Sequence, residues 1–541
     1  MTGVLILVLA VLATAVRVLG LILLSVVSGW FLAYETITNK KFENIFIASI
    51  EVFESVPVIA FFPVVLILFV VGIGGSHGVE LAVDFLVFTA VVWNIWMGEY
   101  QAFKTVPREM VEVTENFRFT FFERLRYLYI PFSVPRIAAN IFPSVADGFF
   151  YITVSEVFVI GAHTFQVFGI GLYLNQFVLA GQWNDVATLL VILAVVIVII
   201  VVLMREFSRY AVSKFTIDTD MPIVRRGRLN VRESLRSSAV ASVNPLNKLA
   251  KYNRVRRVSR RVQQDIYYEE KSEKKYGYIP GIIGILLLTF LVYGIYRIVS
   301  GVAFSEWIYL FSITPRLLFD LLLDYARVGV IVAVSFVFSI FVGYYLAVNR
   351  KAEAAGIPLI ESISAYPVPT YFPFIFLAAS PFVFSLFGGL ANEVFVLFLG
   401  FMSTFYYVFY SFWMGVKAMP SEYSELMKNL NLTFFQKMKL IIMPSTFPYL
   451  ISGVSSTINS AWGGLMIGEF WPSIIGDKTL TVSNGLMKVI DVATSTGNMD
   501  VAAWGSFLFG IIVAVYSILF TRRMMDLART KYVAEEGIYA A

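Results

Sequence analysis

The chain has no cysteine, so neither disulfide bridges nor thiolate metal sites are open to it. Histidine is nearly missing as well. His77 and His163 stand far apart, each in a short polar connection, and they read as solvated loop residues rather than metal ligands. Charged residues make up only 15% of the chain. No G-x-x-x-x-G-K-[ST] stretch occurs, and the glycine-rich Gly72–Gly75 segment lacks the lysine, so it reads as a loop between apolar runs. Without that phosphate cradle the chain cannot itself bind and hydrolyse ATP in the P-loop manner. No paired carboxylates, nucleophile triad or metal-spaced cluster points to catalysis, so neither an enzyme nor a resident cofactor or metal is expected. A cleavable leader is not expected either, because the first apolar run has no basic stretch before it and continues too far.

What is present is apolar surface. Of 541 residues 58% are hydrophobic and the mean hydropathy is +0.77, which is the composition of a membrane protein. Apolar runs reach the ~20 residues that cross ~30 Å of hydrocarbon. They lie at about 4–33, 55–73, 79–100, 137–160 and 185–204, then at about 278–299, 325–348, 366–388, 391–415, 448–470 and 501–520. Between the two sets, Arg205 to Lys275 holds 18 Lys/Arg against 8 Asp/Glu and no run long enough to span. By the positive-inside rule this stretch is cytoplasmic. A linker lying near anionic lipid headgroups explains it better than nucleic-acid binding. Alternating sides from there puts the C-terminus inside and the N-terminus outside. The expectation is an all-α polytopic membrane protein with about eleven spans, five plus six. Its parts are a first half (1–204), a basic cytoplasmic linker (205–277) and a second half (278–541).

The chain also writes itself twice. Glu112 to Pro131 and Glu425 to Pro444 are charged islands 313 positions apart. Six of their twenty aligned positions are identical: Glu112/Glu425, Asn116/Asn429, Thr120/Thr433, Phe121/Phe434, Phe122/Phe435 and Pro131/Pro444. Thr120-Phe-Phe-Glu123 and Thr433-Phe-Phe-Gln436 are capping boxes, in which hydroxyl and acidic or amide side chain satisfy orphan backbone N–H groups. Pro107 and Pro420 stand where a preceding helix would start. Each island reads as helix, tight turn, helix. The repeat extends further: Arg17 and Lys41 match Arg327 and Lys351 at a spacing of 310, and Glu156 matches Glu469 at 313. Ile50-Glu51…Pro57…Phe62-Pro63 likewise matches Ile360-Glu361…Pro367…Phe372-Pro373. The halves are therefore parallel repeats, each beginning outside-to-inside at its Arg-bearing span. The run at 278–299 has no partner in the first half and returns the chain to the outside.

Each island resembles the EAA loop of binding-protein-dependent ABC importer permeases: a Glu, a Gly six residues on, an Ile-x-Leu-Pro ending, then a membrane helix. The match runs through Glu112, Leu128, Ile130 and Pro131, and through Glu425, Ile441, Met443 and Pro444. The family's alanines are replaced by Val113-Thr114 and Leu426-Met427, and its Gly by Arg118 and Asn431. Asn enters the left-handed backbone region readily and Arg rarely, so the first turn is expected to be distorted. The proline-rich span starts look like the nitrate/sulfonate/taurine class. The resemblance implies a type I importer permease with two fused halves, a cell-membrane location, cytosolic ATP-binding subunits that carry ATP and Mg, and an extracytoplasmic solute-binding protein. Each island would then be a coupling helix with Phe121/Phe122 and Phe434/Phe435 as docking knobs. The plain alternative is that these rings pack on the island's own membrane helices. The solute would be small, an anion being one option.

The remaining signal is charge inside spans. At 1.5 Å per residue, Arg17 lies roughly 33 Å from Asn39, and Glu156 a similar distance beyond Pro135, both near the outer boundary. The same holds for Arg327 and Glu469. They read as outer-face charge pairs, Arg17 with Glu156 and Arg327 with Glu469 or each crossing to the other half, or as an outer gate or solute site. A duplicated secondary transporter without an ATPase is the competing reading. Such carriers place ionisable or unwound segments near midmembrane.

Overall fold

The computed structural model describes residues 2–215 and 302–524, apart from positions 56, 57, 59–64, 161, 162, 420, 476, 477, 517, 518, 521 and 522. The first half runs α1 (Thr2–Thr38), α2 (Lys40–Ser55), α3 (Gly75–Lys104), α4 (Arg108–Asn116), α5 (Phe121–Arg124) and α6 (Ile130–Ser155). A hairpin of β1 (Val157–Ile160) and β2 (His163–Gln166), then α7 (Ile170–Leu179) and α8 (Trp183–Phe215), complete it. The second half repeats the order. It runs α9 (Phe304–Phe338), α10 (Tyr344–Val348), α11 (Arg350–Ala365), α12 (Val368–Phe387), α13 (Ala391–Ala418), α14 (Ser421–Asn429), α15 (Phe434–Lys437) and α16 (Met443–Glu469). The antiparallel pair β3 (Phe470–Ile475) and β4 (Lys478–Thr481), α17 (Leu486–Ser495) and α18 (Met499–Tyr516) follow.

The fold is that of an all-α polytopic membrane protein. Among the described residues six stretches are long and apolar enough to cross a membrane: Gly3–Thr38, Gly75–Lys104, Trp183–Ala211, Phe304–Val348, Val368–Lys417 and Met499–Tyr516. The α6 region makes a seventh, bent by 60° between Ala138 and Asn140, where Pro143 removes the N–H that the carbonyl four residues back would accept. Val368–Lys417 contains two expected spans, because Gly388 at φ 52° turns the chain between α12 and α13. The expected run at 278–299, and positions 56, 57 and 59–64 of that at 55–73, lie outside the described residues. The run at 448–470 is helical as α16, but its Ser, Thr and Gly residues keep it below the apolarity of a lipid-exposed span.

Sequence boundaries shift where polar residues interrupt helices. The run expected from 325 is the end of a helix that begins at Phe304, because Arg316, Asp320 and Asp324 are carried inside it. The runs expected to reach 160 and 470 stop as helices at Ser155 and Glu469, where strands begin. α8 continues to Phe215, past the division drawn at residue 204. α7, although apolar, and α17 are too short for a span. His77 is exposed in the first turn of α3, and His163 stands in β2.

At the island end, both halves are tied by the same two devices. Asn39 Oδ1 accepts the N–H groups of Lys41 and Phe42 at 3.1 and 3.3 Å, and Asn349 Oδ1 those of Lys351 and Ala352, both at 3.2 Å. Glu43 bonds Lys104 at 2.5 Å, and its counterpart Glu353 bonds Lys417 at 2.8 Å. Glu43 also accepts from Tyr100 and Lys40, each at 2.6 Å. Burial alone would raise this carboxyl, but the hydrogen bonds from Lys104, Lys40 and Tyr100 outweigh it and hold it at about 2. A carboxylate depressed on folding stabilises above its unfolded range, and that stability is lost as pH falls from about 4.5 towards 2. In detergent at pH 6, Glu43→Gln is expected to cost about 1–3 kcal/mol. The gap to the parent chain should close in thermal unfolding at pH 2–3. A gap that stays constant over that range contradicts this account.

Candidate functional site

Two sites emerge at opposite ends of the helices. At one end lie the islands. The turn after α4 passes through Arg118 at φ 52°, and that after α14 through Asn431 at φ 47°. The expected distortion of the first turn is not found. Arg118 adopts the left-handed conformation because the helix-closing bonds hold it there: Phe119 N–H to the Thr114 carbonyl at 2.9 Å, matched by Leu432 N–H to Met427 at 3.3 Å. Pro107 precedes α4 as its N-cap, one place earlier than a first helical residue, and Pro420 lies outside the described residues.

The capping boxes form as the spacing implies. Glu123 Oε2 accepts from the N–H and hydroxyl of Thr120 at 2.8 and 2.9 Å, and Gln436 Oε1 from those of Thr433 at 2.9 and 3.0 Å. Glu123 is fully exposed, and its bonds from Thr120 lower its pKa. One π turn, Leu125–Tyr129 or Met438–Ile442, then joins each box to α6 or α16. The phenylalanine pairs divide their work. Phe121 packs on Tyr34 and Phe31 of α1, ring centroids 4.8 and 6.2 Å away. Phe434 packs on Phe341 and Tyr344, both at 5.7 Å, which are the repeat counterparts of Phe31 and Tyr34. Phe122 and Phe435 are 66% and 75% exposed. Glu112, Asn116, Glu425 and Asn429 are exposed on α4 and α14, with Glu112 paired to Arg108 at 2.7 Å. Pro131 and Pro444 sit at the start of α6 and α16.

At the far end, the structure brings Arg17 within 3.6 Å of Glu156 and Arg327 within 2.9 Å of Glu469. Both carboxylates are fully buried. Each also caps a short helix: Glu156 Oε2 accepts the Gly171 N–H at 2.6 Å, and Glu469 Oε2 that of Lys488 at 3.0 Å. The positive helix end is a natural seat for an anion. A Cβ on Gly169 or Gly485 would fall 1.9 or 2.1 Å from these carboxylates, so only glycine permits the approach.

The sequence reading missed the residues that complete the clusters. Thr14, one turn before Arg17, donates to Glu156 at 2.7 Å and accepts the Ile170 N–H at 3.0 Å. Its counterpart is Asp324, which bonds Arg327 and the Leu486 N–H, both at 2.8 Å. Glu80 and Asp84 reach Arg17 at 2.6 and 3.2 Å. Glu393, which is Glu80 plus 313, clasps Arg327 through both oxygens at 2.7 and 2.8 Å. The 313 spacing of Glu80 and Glu393 was legible in the sequence. Thr14 against Asp324 was not, because the residue type changes.

A family model described as the binding-protein-dependent transport system inner membrane component matches the chain twice, over residues 25–215 and 335–532. The chain belongs to that family. It is a permease of ABC type with two fused halves, an integral membrane protein and a transport component. That family is not one of secondary carriers. No curated relative matches the chain.

The two charge clusters of the permease differ in what their arginine holds. Arg17 faces one buried carboxylate and two that are 43% and 37% exposed, whereas Arg327 faces Asp324 and Glu469, both fully buried, and Glu393 at 28%. Arg327→Met is expected to cost about 3–5 kcal/mol, because it strands desolvated carboxylates. Arg17→Met should cost less, since Glu80 and Asp84 reach water and Glu156 keeps Thr14 and Gly171. Thermal unfolding of the two variants in detergent decides it, and equal losses contradict the reading.

Proposed function

We propose that this permease forms the translocation path of an ABC importer and is driven through its two islands by cytosolic ATP-binding subunits. An extracytoplasmic solute-binding protein delivers the solute to the opposite end. The islands, the basic linker and the C-terminus lie in the cytoplasm, and the charge clusters lie at the outer face of the cell membrane. ATP and Mg bind the partner subunits. The nitrate/sulfonate/taurine likeness concerns the proline-rich span starts and carries no information on the solute.

The observation behind this reading is the division of the phenylalanine pairs. In each half one ring anchors the island to that half's first span, at Phe31 and Tyr34 of α1 or at Phe341 and Tyr344 beyond α9, and the next is presented to solvent on a capped, two-helix element. An exposed aromatic on a rigid support is what insertion into a cleft of a partner requires. Anchoring through Phe121 and Phe434 makes the element move with α1 and with the end of the Phe304–Val348 span, so a displacement of the partner is transmitted to the spans.

Changing Phe122 and Phe435 together to Ser should leave the purified permease folded but abolish solute-stimulated ATP hydrolysis in the reconstituted importer. Phe121→Ser with Phe434→Ser should lower thermal stability first. Retained coupling in the exposed-pair variant would sink the docking assignment. Topology is tested separately by cysteine labelling, which meets no native thiol. Reaction of a cysteine placed between 216 and 277 with an impermeant reagent outside intact cells would reverse the orientation.

A further inference from the structure

α6 of the first half packs on α11 and α12 of the second and reaches α13 through side chains, and a carboxylate stands at that last contact. Asp147 of α6 accepts hydrogen bonds from the hydroxyls of Tyr407 and Tyr406 of α13. Ser460 of α16, which is Asp147 plus 313, approaches the same Tyr407 hydroxyl. A residue and its repeat counterpart reaching one hydroxyl places both beside the axis that relates the halves. Asp147 lies nine residues before Glu156, about 13 Å further in along the helix. It is therefore well inside the membrane and on the axis.

Among the described residues no lysine or arginine pairs with Asp147, and Arg205 of α8 acts on Glu361 and Tyr410 instead. Arg17 and Arg327 are held by their clusters, Lys417 by Glu353, and Arg136 donates to Gln101 at 3.1 Å. Asp147 is partly accessible, while Tyr406 and Tyr407 are buried. Further along the same face of α13, the Tyr410 hydroxyl and the Trp413 indole N–H are buried without a hydrogen-bond partner, as is Glu361 Oε2 of α11. Buried polar groups are nearly always satisfied, so these three, with Arg205 of α8 acting on Glu361 and Tyr410, make the stretch from Asp147 towards the islands a polar one. A latch between the halves accounts for the tyrosine bonds to Asp147 but leaves that polar stretch unexplained.

We propose that Asp147, with Tyr406 and Tyr407, is the charge-reading point of a solute site between the halves, and that the site takes a small solute bearing a protonated amine. The proposal rests on the transport reading above. An ammonium group supplies a countercharge through a charge-assisted hydrogen bond. The two tyrosine rings, centroids 4.4 Å apart and tilted by 32°, add aromatic surface beside the same cation. An anionic solute meets a like charge in a low-dielectric seam, where repulsion is screened least. The anionic option left open by the sequence is thereby disfavoured.

The test uses the full chain alone in lipid nanodiscs at pH 7. Thermal unfolding is followed against ethylammonium, putrescine and arginine amide as amines, methanesulfonate and nitrate as anions, and glycerol as the neutral probe. At least one amine should raise the melting temperature in a saturable way, and the anions and glycerol should not. Asp147→Asn should weaken that response about tenfold or more, and Asp147→Glu should retain it. Tyr407→Phe, which keeps the carboxylate, should weaken it several-fold and serves where Asp147→Asn does not fold. Saturable stabilisation by anions or glycerol in place of amines overturns the proposal. So does an amine response unchanged in both Asp147→Asn and Tyr407→Phe, or no response to any probe. Because no ATPase is present, failure here is distinct from failure of the coupling assignment.

Discussion

A carboxylate taken out of water must be compensated where it is buried, and this permease meets that constraint at the same place in both halves. Glu156 and Glu469 close the long helices that rise from the islands. Each is held by an arginine from the half's first helix and by the N-terminus of a short helix that follows a hairpin. One buried group thus fixes three elements at once. Removing any partner leaves a desolvated charge, so the arrangement is costly to break although its net contribution is modest. The glycines at 169 and 485 follow from the same demand, because the carboxylate needs the space a side chain would fill.

The islands are the counterpart at the other end. There the constraint is geometric: a short helix cannot sustain itself in water, so it is capped, closed and anchored. The left-handed Arg118 shows that the closing bonds matter more than the residue's own preference. About 1–2 kcal/mol of strain is offset by the helix-closing bonds and by the packing of Phe121 on α1. The same turn is reached in the second half with Asn431, a residue better suited to it.

Sequence patterning made the repeat legible because it preserves residue types at fixed spacing. Arg17 and Arg327, the capping boxes, and the paired prolines at 131 and 444 could be read directly. What could not be read falls into two kinds. Helix ends hidden by polar residues inside a span, as at Asp320 and Asp324 in α9, look like the end of an apolar run although the helix continues. Short structures that depend on a distant partner, such as α7 and α17, have too few residues to show a period. Their N-termini form where a buried carboxylate waits for them, and that is a tertiary fact. Pairing partners whose chemistry changed between halves, as Thr14 to Asp324, leave no trace in a comparison of like with like.

Those changes have a pattern of their own. Groups that hold each half together recur: Asn39 and Asn349, Glu43 and Glu353, Lys104 and Lys417, Glu156 and Glu469. Groups at the seam between halves do not. Asp147 faces Ser460, Pro143 with its bend corresponds to Ser456, and Tyr406 and Tyr407 correspond to Trp93 and Asn94. Two separate copies of one chain would present the same residues twice to a passing solute. Fusion of the halves lifts that restriction, because each can carry a different side chain at the axis while the frame around it stays duplicated. A single carboxylate on the axis, bonded by tyrosines from the other half, is an arrangement that a strictly symmetric dimer cannot make without bringing two carboxylates into mutual repulsion. The asymmetry of the seam is therefore a consequence that fusion permits, and the recurrence of the buried charge clusters is what allows the seam to diverge without loss of the fold.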